Sequence, residues 1–112
     1  MLINYITNGL AAVVSLFLVI GGFINIIAPE HIRQDYERWG YPSWFHYVTG
    51  TLELVAAVMI ILPLTRVAGS VLAGVVMAAA VATLIRDGTL ARAILPALAL
   101  LVIAANAFVA SR

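Results

Sequence analysis

Glu53 is the residue in this sequence best placed to do chemistry. It lies inside "WGYPSWFHYVTGTLELVAAVMIILP", residues 39–63, with nine residues on either side of it within the apolar block 44–62. A carboxylate at the centre of a hydrocarbon layer costs about 2.5 kcal/mol or more, so it must turn toward partners, water or a bound molecule rather than lipid. On a helix the positions that share its face are His46, Thr49, Gly50, Ala56 and Ala57. His46 precedes it by seven residues, about 10.5 Å along a helix axis, which is too far for a direct hydrogen bond. Thr49 stands between the two and could bridge them, as could a water or a bound molecule.

Other apolar blocks offer polar groups at matching heights. Asn25 near the end of the first, His46 near the start of the second and Thr83 near the end of the third should approach one membrane face. Together they would form a polar mouth above the acid. Glu53, His46, Asn25, Thr49 and Thr83 are therefore the expected ligand-binding set. The plainer readings are a neutral acid bonded to a neighbouring helix, an interfacial histidine beside Trp44, and amide and hydroxyl groups acting as glue between helices. Asn106 fits that last role. His31, His46 and the scattered carboxylates lack the spacing of a metal-ligand set. No phosphate-cradling glycine loop and no nucleophile beside a base is legible, so no catalytic residue is assigned.

Composition says what must hold these residues. Of 112 residues 64% are hydrophobic and 10% charged, more apolar material than a small soluble core could bury. The chain reads as an integral membrane protein. A net charge of +1 without a basic patch gives no reason to expect a nucleic-acid partner. Cysteine is absent, so any redox role depends on a borrowed cofactor or partner. The first apolar run lacks a basic leader region and is too long for a secretory signal, which makes it a retained span.

Apolar blocks near 5–28, 44–62, 67–85 and 90–110 predict an all-α polytopic membrane protein, a four-span up-down bundle forming one domain over 1–112. Between the first two, "PEHIRQDYERWGYPS" predicts a short interfacial helix with Pro29 as its first residue. The connections "PLTR" and "RDGT" are short enough to make the later spans antiparallel neighbours. Ser70, Gly74, Ala78 and Ala82 recur every four residues and predict a close-packed face, and Pro96 predicts a kink in the last span. Arg33, Arg38, Arg86 and Arg92 flank the first and third connections, against Arg66 and Arg112 on the other side. That bias puts the first and third connections in the cytoplasm. Tyr36, Trp39, Tyr41, Trp44 and Tyr47 then read as an aromatic anchor at that interface.

The stretch 39–63, followed by a small-residue span ending in Thr83, resembles the DoxX-like family of small four-span membrane proteins. The likeness runs from the first span to the fourth and is most specific in 39–63. It implies a four-helix bundle with the acid of the second span, here Glu53, facing inward. The family takes its name from a membrane subunit of a thiosulfate:quinone oxidoreductase, and many members have no assigned activity. Relatives often carry a histidine after the threonine that ends span three, where this chain has Leu84. Related four-span proteins include sterol isomerases and membrane chaperones, so the fold leaves the function open.

The reading that joins these features is a bundle whose interior binds a small lipophilic molecule, with a quinone as the cofactor class. It would serve as a membrane subunit or accessory of a redox system in an inner (cytoplasmic) membrane of bacterial type. Its partners would be membrane lipids, the ligand and a membrane or redox protein that supplies electrons, and homo-oligomers are open to it. The alternatives are a proton-coupled small multidrug transporter and a chaperone or interaction protein for other membrane proteins. Small multidrug exporters carry their acid in the first span, which here has none.

Overall fold

A computed structural model describes residues 2–111, so that Arg112, one of the two arginines counted on the far side, lies outside the described residues. The order is α1 (Leu2–Ile27), α2 (Glu30–Arg38), α3 (Phe45–Ile61), a 3-10 turn (Pro63–Thr65), α4 (Arg66–Arg86) and α5 (Leu90–Ala110). No strand occurs among the described residues. Three helical segments, Asn4–Ile27, Pro63–Arg86 and Ala91–Ala110, are long and apolar enough to cross a membrane. The fourth apolar helix, α3, is shorter than the expected block, with 17 residues. Its C-terminal limit is set by Pro63, which disfavours helical backbone in the residue before it, and Leu62 is accordingly extended (φ −88°, ψ 120°).

Local chemistry sets the other boundaries. α1 stops at Ala28, whose positive φ of 51° breaks the helical path. Pro29 sits at the N-cap of α2 rather than in its first turn, and its carbonyl accepts from the amides of Ile32 (2.9 Å) and Arg33 (3.1 Å). α2 and α4 end alike. Gly40 (φ 85°) and Gly88 (φ 79°) take the left-handed position, while Tyr41 N–H returns to Tyr36 O and Thr89 N–H to Leu84 O. This six-to-one closure satisfies carbonyls that the helix end leaves open.

α1 packs on α3 and α5, and α4 packs on the same two, so the four apolar helices close a ring. Leu18, Ile60 and Ile103 are its largest fully buried apolar side chains, surrounded by Ala11, Ala56 and Ala73. The tightest backbone approaches are at glycines: a β-carbon on Gly50 would lie 2.6 Å from the Gly22 carbonyl oxygen, and one on Gly69 2.6 Å from Met59 Cβ. These contacts correct the expected small-residue face. Gly74 has its nearest neighbour at 3.8 Å, and Ala78 and Ala82 are exposed. The physical reason is rotation, since a four-residue repeat advances about 40° per step on a helix of 3.6 residues per turn and so winds off the seam.

Val13, Leu16, Ile20, Val58, Val71, Val75 and Leu101 form an apolar exterior, the inverse of what water would tolerate over so much surface. Arg66, the first residue of α4, is buried at the turn between α3 and α4. Its guanidinium donates to Ile60 O (2.7 Å), Ile61 O (3.1 Å) and Asn8 Oδ1 (3.0 Å), capping the C-terminal carbonyls of α3.

Candidate functional site

Polar groups converge where the end of α1, the first half of α3 and the overlying α2 meet. Glu53 is 3% exposed, and its Oε1 accepts from Asn25 Nδ2 at 2.7 Å. The same Asn25 amide nitrogen donates to Gly21 O (3.0 Å), and Asn25 Oδ1 accepts from the Tyr36 hydroxyl (2.9 Å). One amide thus joins α2 to a buried acid. Gly21 supplies the room for it, because a β-carbon there would lie 2.5 Å from Glu53 Oε2.

His46 and Thr83 occupy different parts of this arrangement. The His46 ring is buried, with Nδ1 2.9 Å from the backbone carbonyl of Asn25 and its ring edge-on to Tyr36. It fixes the asparagine from behind and is not among the residues lining the cavity described below. Thr49 turns its hydroxyl to Phe45 O (3.3 Å) within its own helix and does not bridge His46 and Glu53 by a hydrogen bond to either. Thr83 Oγ1 lies 2.7 Å from the Tyr41 hydroxyl, which ties the end of α4 to the segment leading into α3.

Asn25, Thr49, Glu53 and Thr83 all line a cavity of about 470 Å³ beneath α2. That size suits a small organic molecule. Its remaining walls are largely aromatic and aliphatic, including Phe17, Trp39, Phe45, Met77 and Leu84. Tyr36, Trp39 and Tyr41 read as interfacial anchors in the sequence, yet all three are walls of this cavity. The spacing of Ile32, Tyr36 and Trp39, four residues and then three, was the available signal that one face of α2 turns inward.

Ion pairs fasten α2 over the cavity. Arg92 Nη2 lies 2.6 Å from Asp35 Oδ2, Arg38 Nη1 lies 3.2 Å from Asp35 Oδ1, and Arg38 Nη2 reaches Asp87 Oδ2 at 2.9 Å. The hydrogen bond from Arg92 holds the Asp35 carboxyl below its ordinary range, with the charges of Arg92 and Arg38 adding to the effect against desolvation. Arg38 does the same for Asp87. Four of the chain's charges therefore fasten a short helix across the ends of α4 and α5.

The arrangement combines an apolar enclosure, hydroxyl donors at Tyr41 and Thr83, and an amide–acid pair. A ring of apolar helices enclosing such a pocket defines a small helical membrane protein. The model of the DoxX-like family matches residues 9–106, and the chain belongs to that family. No curated protein and no solved structure matches it.

Proposed function

We propose that the protein spans the membrane four times, α3 included, and holds a small lipophilic molecule with a compact polar head in the cavity beneath α2. A quinone is the class that fits best, within a redox system of a bacterial inner membrane and with electrons supplied by a partner protein. The carrying observation is the cavity of about 470 Å³ in which Asn25, Glu53, Thr49, Thr83 and, at the α2 end, the Asp35–Arg92 ion pair interrupt largely aromatic and aliphatic walls. A quinone carbonyl needs a donor, which the hydroxyl pair of Tyr41 and Thr83 can provide with the one proton not used between them. The reduced form carries hydroxyls, for which the Glu53 carboxyl is an acceptor. In this reading His46 is a positioning residue, acting through the backbone of Asn25.

Trp39 gives the experiment its reporter, because it lines the cavity while Trp44 is not among its walls. In a Trp44→Phe background, a methylated benzoquinone should quench Trp39 fluorescence saturably. Tyr41→Phe and Thr83→Val should each weaken it several-fold, the effect of losing about one buried hydrogen bond. Quenching that never saturates and is equal in all three proteins contradicts the proposal. Proton release on adding a cationic drug, with no quinone binding, would instead favour an exporter.

A further inference from the structure

A second, wholly apolar groove of about 160 Å³ lies on the seam between α1 and α5, among Val13, Phe17, Leu98, Ala99 and Val102. Phe17 and Leu95 belong to both spaces: each lines the groove and each lines the cavity beneath α2. The two are therefore neighbours that share these two walls. Leu95 on α5 and Val75 on α4 are each 63% exposed although both are walls of the cavity, and of the two only Leu95 also lines the groove. Of the four seams in the ring, this one brings its two backbones close over the fewest residues. Pro96 follows Leu95 and lines the inner cavity, and without an amide proton it leaves the Arg92 carbonyl outside the helical ladder.

We infer that the α1–α5 seam is the side opening of the site, and that its occupant is the apolar chain of the molecule whose head lies in the cavity. This rests on the ligand reading above and narrows it. The ligand class becomes an amphiphile with one compact polar head and a long hydrocarbon or polyprenyl chain, rather than a molecule wholly enclosed beneath α2. Phe17 and Leu95 are the residues between which the chain passes, and Val13, Leu98, Ala99 and Val102 carry it to the lipid. The groove offers no polar lining, which suits a chain and would not satisfy a head.

The test uses the full chain in mild detergent and two probes, a methylated benzoquinone and the same ring bearing a decyl chain. Ala99→Phe fills the groove without touching Glu53 or Asn25. It should weaken the decyl probe roughly tenfold, read by Trp39 quenching, and leave the methylated probe unchanged. In the unsubstituted protein, a decyl chain ending in a photoreactive diazirine should crosslink to Val13, Leu98 or Val102, a result that does not depend on any variant folding. Equal loss of both probes in Ala99→Phe, no loss of either, or crosslinks confined to α3 and α4 would overturn the seam while leaving the head site standing. Failure of both probes to bind the unsubstituted protein would overturn the head site, and the seam with it.

Discussion

At the scale of single residues, Asn25 carries more of the structure than Glu53. Its side chain donates to Glu53 and Gly21 and accepts from Tyr36, while its carbonyl meets His46. Asn25→Ala should leave an acid and a phenol buried without this partner and lower stability by about 3 kcal/mol, read as a fall in melting temperature in detergent. Glu53→Gln preserves volume and an acceptor oxygen, so it should cost about 1 kcal/mol or less on the same measurement. A larger loss for Glu53→Gln than for Asn25→Ala would contradict that order. The sequence made the inward turn of Glu53 legible, because the cost of facing lipid leaves a mid-span carboxylate few alternatives. Asn25 and Thr83 were likewise legible from their height in their spans. The role of Tyr36 was not, since a tyrosine in a charged connection reads as a headgroup anchor until the connection is known to fold back over the bundle. The direction of His46 was equally hidden, because its partner is a backbone carbonyl 21 residues away.

At the scale of elements, two glycines fix the α1–α3 contact and two carboxylates fix α2. Gly50→Ala pushes a β-carbon to 2.6 Å from the Gly22 carbonyl oxygen and should destabilise by about 1–3 kcal/mol. Gly74→Ala meets nothing closer than 3.8 Å and should be neutral or stabilise by up to about 1 kcal/mol through helix propensity. Equal melting temperatures for the two would remove the glycine seam. The run at 70–82 misled because its spacing is helical while its direction depends on which neighbours arrive, a property of the assembled ring. α2 was legible as a short helix from its polar composition and the proline before it. Its fastening was not, for Asp35 and Arg92 lie 57 residues apart. Arg92 is 46% exposed at its side chain, so the pair contributes about 1 kcal/mol or less. Asp35→Asn should therefore raise hydrogen exchange in α2 modestly and leave the ring protected. Because the folded carboxyl titrates below its unfolded value, the contribution is complete above about pH 4 and drains away only as pH falls through the lower folded value. After correction for intrinsic rates, α2 protection should be constant from about pH 8 to pH 5, and a loss near neutral pH would show that Asp35 is not its fastening.

At the scale of the whole molecule, the length of α3 decides the topology. Its 17 helical residues span about 25 Å, and the flanking Trp44, Leu62 and Leu64 are exposed and apolar, which extends the hydrophobic stretch beyond the helix. The native chain has no cysteine, so single cysteines at Ser43 and Leu64 can be labelled without background. They should be reached from opposite sides, with Ser43 cytoplasmic by the arginine bias. Labelling from one side would leave α3 as a re-entrant or surface helix and reduce the protein to three spans. The proposal of a molecule drawn from the lipid phase rests on the apolar exterior, the cavity beneath α2 and the seam at Phe17 and Leu95. Native mass spectrometry of the protein purified in mild detergent tests this most directly. The unsubstituted chain should carry a lipophilic adduct, and Glu53→Gln, folded to the same extent, should retain markedly less of it. Absence of any adduct, or equal retention by both proteins, would contradict a ligand site at Glu53.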